Sequence, residues 1–264
     1  MAAAQMLEGR VAIVTGGGGE IGSAIARRFA AEGAAVLVAD ISLDKASTTA
    51  SAITGAGGKA HPFALDVTKP EQCEHAVAEA ASRFGKLTTL ANVAATVTPQ
   101  GTVETLSYDD WRSAFNVNLD GMFWMCKFAV PEMRKAGGGA IVNIASSHGH
   151  IGMPRRPAYC SSKAAVLQFT KCLAIDFGAD NIRANSISPG AIDTLRAALQ
   201  RFKSREEANA AKGPAYLVGR TGKTEEIAAG AAFLASEEAA FMTGTDMLID
   251  GGYMAFKGTT SNPV

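Results

Sequence analysis

Neither sign of charge is in surplus: Lys and Arg total 25, Asp and Glu total 25, and the formal charge is zero. That balance argues against a nucleic-acid or membrane partner held by bulk electrostatics. No apolar run reaches the roughly 18 residues that suggest a bilayer span. The opening residues, MAAAQMLEGRVAIV, lack a basic segment followed by a long apolar stretch, so no signal peptide is expected. Four cysteines (Cys73, Cys126, Cys160 and Cys172) make no C-x-x-C pair and show no metal-ligand spacing. They read as reduced thiols, with no metal expected, and together these absences point to the cytoplasm. No composition break, linker or internal repeat divides the 264 residues, which suits a single domain over 1–264.

The chain is 47% hydrophobic and 19% charged, enough for a core and too apolar for disorder. Short runs such as RVAIVT, AAVLVAD, KAHPFALDV, LTTLANV, GAIVNIA, IRANSIS and DMLID read as strands, nearly continuous in apolar character. Between them lie segments with apolar residues at helical spacing, including a long one from Asp109 to Gly137. Gly33, Gly85, Gly137 and Gly178 stand where helix ends favour glycine. Alternation of this kind predicts an α/β fold, a single-domain, Rossmann-type, doubly wound parallel sheet of about seven strands with helices on both faces. The charged segment 191–220 falls outside the rhythm, and 253–264 reads as a loose or partner-docked tail.

The stretch TGGGGEIG, Thr15 to Gly22, follows the first strand and opens a helix. Backbone N–H groups and the positive end of the helix dipole meet there, and glycines let a pyrophosphate approach. Asp40 closes the second strand, 18 residues beyond Gly22, where an acidic side chain accepts hydrogen bonds from adenosine ribose hydroxyls. It would repel a 2′-phosphate, and neither Ile41 nor Ser42 brings a cation, so the predicted cofactor is NAD. Glu20 places a carboxylate in the first helical turn, and its side chain is expected to turn to solvent.

The second cluster is SSHGHIGMPRRPAYCSSK. Tyr159 and Lys163 lie four apart, on one face of a helix. An ammonium beside a phenol stabilises the phenolate and brings its pKa toward the range of general acid–base catalysis. Ser146 follows the buried strand AIVNIA, at the edge where open α/β sheets bind ligands.

With these motifs in order along nearly its whole length, the chain resembles the short-chain dehydrogenase/reductase family, classical type. The family's glycine turn falls on Thr15, Gly16, Glu20 and Gly22, with Glu20 in place of the middle glycine. Its Asn-Asn-Ala-Gly segment falls on Asn92 to Ala95, where Val93 and Ala95 depart from the pattern. Its active-site residues fall on Asn118, Ser146, Tyr159 and Lys163, its Pro-Gly on Pro189 and Gly190, and its closing Asp-Gly-Gly on Asp250 to Gly252.

The resemblance implies cofactor contacts from Gly16, Gly18, Gly19, Glu20, Ile21 and Gly22 of the turn, and from Asp40 and Ile41 after the second strand. It adds Asp66 and Val67, Asn92 and Ala94, Tyr159 and Lys163, then Pro189, Gly190, Ile192 and Thr194. Tyr159 would move the proton on the substrate oxygen, and Lys163 would hold the nicotinamide ribose. Ser146 would hydrogen-bond that oxygen, and Asn118 would position a water and a helix backbone. The substrate implied is a small-molecule alcohol or ketone, and the assembly a homo-oligomer, a tetramer. An NADPH-dependent 3-oxoacyl carrier-protein reductase and a non-catalytic cofactor-binding protein are the competing readings.

Several residues stay open. His148 and His150 either contact substrate or complete a loop. Arg155 and Arg156 either clamp a substrate anion or lie on a solvated or subunit-facing surface. Cys160 reads as core packing, and the run in 191–220 as a substrate lid. Trp111, Phe115, Met122 and Phe123 serve either a subunit interface or the core.

Overall fold

The computed structural model of the chain describes residues 5–97, 99–195 and 202–255. Seven strands form one parallel sheet: β1 (Val11–Thr15), β2 (Ala35–Asp40), β3 (Lys59–Ala64), β4 (Thr89–Asn92), β5 (Gly139–Ile144), β6 (Ile182–Pro189) and β7 (Asp246–Ile249). Their order is β3-β2-β1-β4-β5-β6-β7. The order reverses at β1, which pairs β2 on one side and β4 on the other with Thr15 level with Asn92. Beyond that switch point the crevice opens at the C-terminal ends of the strands.

Alternation along each strand sends apolar side chains to both faces. Ala12 and Val14 meet α1 (Glu20–Ala31) through Ile25 and Phe29, and α8 (Thr224–Ala235) through Ile227 and Ala231. Ile13 faces the other way, toward α3 (Pro70–Phe84), α5 (Gly121–Lys135) and α6 (Pro157–Phe177). The remaining α-helices are α2 (Leu43–Gly55), α4 (Tyr108–Phe115) and α7 (Arg205–Lys212). Burying a side chain such as Phe29 contributes about 2–3 kcal/mol.

Three local expectations need correction. The long helix beginning at Asp109 is interrupted: residues Asn116–Asp120 form a π-helical turn between α4 and α5. Gly121 then lies so close to Val67 that a Cβ would come within 2.6 Å of its Cγ2. Gly178 ends α6 with φ −59° and enters a 3-10 turn; Asn181 instead takes the left-handed conformation at φ 58°. Continuous burial also fails for β3, an edge strand with exposed ends, where Pro62 is tolerated at the sheet margin.

Candidate active site

The glycine turn runs from the end of β1 into α1. Gly16 has φ +64°, and a Cβ there would lie 2.9 Å from Ala94 Cα. At Gly22 a Cβ would stand 2.1 Å from the Gly16 carbonyl oxygen, so only glycine lets α1 press onto the turn. Gly18 and Gly19 bring no side chain to the helix N-terminus, and Gly19 N donates to Gly16 O. Asp40 is buried beside it, its Oδ2 accepting from Gly18 N at 3.0 Å and its Oδ1 from Ser42 N at 2.9 Å. A glycine-lined helix N-terminus with a carboxylate one strand away fits the diphosphate and ribose of a nicotinamide dinucleotide.

Glu20 does not turn to free solvent as expected. One carboxylate oxygen accepts from Leu195 N at 2.7 Å, and the other pairs with Arg205 at the start of α7. Arg205 also lies 3.7 Å from Asp193. The carboxylate thus ties segment 191–220 to the turn; residues 196–201 of that segment lie outside the described residues. Gly18, Gly19 and Glu20 of the turn line a groove of about 200 Å³ together with Arg27, Lys45 and Thr49. These two cations were not singled out from the sequence.

Around the crevice, Thr15 Oγ1 accepts from Val93 N at 3.0 Å and Ala94 N at 3.2 Å, anchoring the segment after β4. Val93 packs on the core beside α1, so its loss of an amide is a local repacking. Asn92 turns its side chain inward: Nδ2 donates to Asn143 Oδ1 at 2.9 Å. Asn143 continues to Thr170 on α6 at 3.0 Å, a buried polar tie linking β4, β5 and α6. Asp66 Oδ1 accepts from both Thr68 N and Oγ1, while Val67 is core. Ile21 packs on the core beside α1; Ile41 is exposed at the crevice mouth. Pro189 ends β6, Gly190 N donates to Ile249 O, and Ile192 bridges Gly222, which carries Thr194 along the same edge.

Asn118, Ser146, Tyr159 and Lys163 come together where β5 ends. Lys163 is 2% exposed, and its Nζ donates to the Ile144 carbonyl at 2.7 Å. Ser146 is buried, and its Oγ accepts from His148 N at 3.1 Å. Tyr159 sits one turn before Lys163 on α6. The π turn buries Asn118 completely: Oδ1 accepts from Thr96 N at 2.8 Å, and Nδ2 donates to Thr96 O and to Ser162 Oγ at 3.0 Å. Its side chain therefore fastens α6 to the loop after β4.

A row of rings flanks Tyr159. His148 meets Tyr159 edge-on, with ring centroids 6.3 Å apart, and meets Tyr253 at 6.4 Å. Tyr253 in turn lies 5.3 Å from Tyr216, whose hydroxyl accepts from Ala191 N at 2.8 Å. Burial pushes the Tyr216 phenol above its ordinary pKa and, with the Arg156 charge second, lowers that of His148. Tyr253 corrects the reading of its segment as a loose tail; residues 256–264 lie outside the described residues. Its signal was its place directly after Asp-Gly-Gly at the end of β7. Tyr216 had none beyond lying in the charged late segment.

The remaining open residues fall elsewhere. His150 Nε2 sits 2.8 Å from Asp246 and 3.3 Å from Ser188 Oγ, holding its loop to β6 and β7. Both contacts use one ring nitrogen, so this is no Ser-His-Asp relay. Arg155 is exposed at φ 61°. Cys160 is half-buried rather than core, while burial pushes Cys73 and Cys126 up to about 12. Met122 is core, Phe123 is exposed, and Trp111 stacks on Phe115 at 4.9 Å.

Comparison with known proteins agrees with this architecture. A family model described as enoyl-(acyl carrier protein) reductase matches residues 18–254. The 2,5-dichloro-2,5-cyclohexadiene-1,4-diol dehydrogenase of Sphingobium indicum is 38% identical, over 95% of this chain and 98% of its own. A 3-oxoacyl-[acyl-carrier-protein] reductase of Thermotoga maritima is 37% identical, over 93% and 98%. The crystal structure of a short-chain type dehydrogenase/reductase from Mycobacterium marinum superposes with a TM-score of 0.89 at 32% identity, covering 96% of this chain and 98% of that one. Sheet order, glycine turn and matching relatives agree, and the chain belongs to the short-chain dehydrogenase/reductase family of nicotinamide-dependent oxidoreductases.

Proposed function

We propose that the protein is an NAD-dependent dehydrogenase that interconverts a secondary alcohol and a ketone. The observation that carries this is the buried Lys163 ammonium at the end of β5, one helical turn from Tyr159. A desolvated cation there favours the phenolate, so Tyr159 takes the proton from an alcohol or returns it to a ketone oxygen. Ser146 accepts from His148 N, which leaves its own O–H to donate to the same oxygen. Asn118 keeps α6 in register with the loop after β4. The cofactor, when bound, supplies the hydride acceptor or donor, with Gly18, Gly19 and Asp40 positioned to hold its adenosine half. The reading extends to a homotetramer in the cytoplasm. Its support there is family membership and the exposed apolar side chains Phe123 on α5 and Leu248 on β7.

A second reading, an NADPH-dependent 3-oxoacyl reductase, draws on Lys45 and Arg27 beside the glycine turn. Against it, the Asp40 carboxylate stands one hydrogen bond from Gly18, where a 2′-phosphate would meet a negative charge. Titration of NADH and NADPH against the purified protein separates the two. Tighter NADH by about tenfold or more is expected, a difference of about 1.4 kcal/mol. Tighter NADPH would overturn the assignment and favour the reductase. Tyr159→Phe should then lower kcat by roughly 100-fold or more with NADH affinity unchanged; unaltered turnover would remove Tyr159 from the mechanism.

A further inference from the structure

One polar side chain at the site has no part in the proton chemistry. The His148 backbone N–H is held by Ser146 Oγ, which fixes the residue beside the hydroxyl that faces the substrate oxygen. Its imidazole stands between two aromatic rings, at interplanar angles of 78° to Tyr159 and 72° to Tyr253. Neither ring nitrogen has a hydrogen-bond partner among the described residues, although the side chain is half-buried. Both nitrogens are therefore open to a ligand that supplies a partner. Tyr216 is anchored through its oxygen, which accepts from Ala191 N, and Tyr253 leans on its ring.

The charge state of the imidazole selects the ligand. Burial and the neighbouring Arg156 charge hold His148 neutral, so it presents one N–H donor and one lone pair. A hydroxyl, itself donor and acceptor, satisfies either nitrogen whichever carries the proton, whereas a carboxylate or phosphate oxygen satisfies the N–H alone. We propose that His148 binds a second hydroxyl of the substrate, so that diols, polyols and the matching hydroxyketones are preferred over simple secondary alcohols. This rests on the dehydrogenase reading above and names its substrate class.

The test compares matched pairs with the full chain and either NAD⁺ or NADP⁺: meso-2,3-butanediol against 2-butanol, and cis-1,2-cyclohexanediol against cyclohexanol. A single partly exposed contact should give a diol to mono-alcohol ratio in kcat/KM of about tenfold or more. His148→Phe keeps the ring and removes both polar atoms, and should lower that ratio about tenfold. His148→Gln keeps a donor and an acceptor and should stay within about threefold of wild type. NADH binding by each variant confirms a folded site. Equal efficiency on diols and mono-alcohols in wild type would overturn the assignment while leaving the dehydrogenase standing. A ratio unchanged in His148→Phe, or lowered equally in both variants, would also overturn it. Oxidation of none of these alcohols would sink the dehydrogenase reading and this inference together.

Discussion

Replacing Gly22 by Ala puts one methyl group where the fold has no room for it. The added carbon would lie 2.1 Å from the Gly16 oxygen, 2.7 Å from the Gly16 carbonyl carbon and 3.0 Å from Gly17 Cα. A carbon–oxygen contact of this kind ordinarily sits near ~3.3 Å, so the overlap is about 1 Å. All three obstacles are backbone atoms of the turn, so no side chain can rotate away, and α1 must move off β1. Overpacking costs typically 1–3 kcal/mol, and a rigid partner places this case at about 3 kcal/mol. For a chain of this size that is a fall in Tm of roughly 6–12 °C. The displaced helix N-terminus should also weaken NADH at least about tenfold. Gly55, near the end of α2, has open space within 4 Å of where a methyl would be added and serves as control. Gly55→Ala should leave Tm unchanged or slightly raised, by the ordinary helix preference of up to about 1 kcal/mol. Calorimetry and NADH fluorescence titration read both effects. If Gly22→Ala melts within about 2 °C of wild type and binds NADH equally well, the close packing of α1 on the turn is not what shapes the cradle.

Asn118→Ala removes three hydrogen bonds from a fully buried site, and urea unfolding should register a loss of about 3–4 kcal/mol. A loss below about 1 kcal/mol would mean that water replaces the amide. Glu20→Gln should shift Tm by no more than a few degrees, because both partners of the Glu20–Arg205 pair are 39% exposed and such pairs contribute about 0–1 kcal/mol. His148 is depressed below its ordinary 6.5, so its contribution to stability is present above that value and is lost as pH falls below it. Wild type should therefore lose more Tm than His148→Gln between about pH 7.5 and 5.5; equal losses would contradict this sign. With its thiol pushed up to about 12, Cys126 should resist iodoacetamide in the native protein at about pH 8 while exposed Cys172 reacts, as peptide mass spectrometry would show.

The sheet was legible because both its faces are covered, which writes β1, β2, β5 and β6 as apolar runs and leaves glycine at the turns. The places of Asp40, Ser146, Tyr159 and Lys163 in the fold were legible because each sits at a fixed offset from a strand end or along a helix face. What escaped has no local pattern. The π turn at Asn116–Asp120 answers to the contact of Gly121 with Val67, some 50 residues away. The pairing of Glu20 with Arg205 spans 185 positions, and no spacing rule links such residues. The inward turn of Asn92 depends on Asn143, whose register beside it is set by the sheet. Tyr253 belongs to the ring row only because β7 ends beside β6.

Strand order also bears on how such a chain is made. β2 and β3 add outward on one side of β1, then β4, β5, β6 and β7 add outward on the other, each to an edge already present. A ribosome delivering the chain from its N-terminus never has to insert a strand between two that are paired. The segment from Thr15 to Asp40, with the glycine turn, can therefore assemble early in synthesis. The ring row beside Tyr159 waits for Tyr253, beyond the last strand, so a nascent chain can form its glycine turn long before that row is complete.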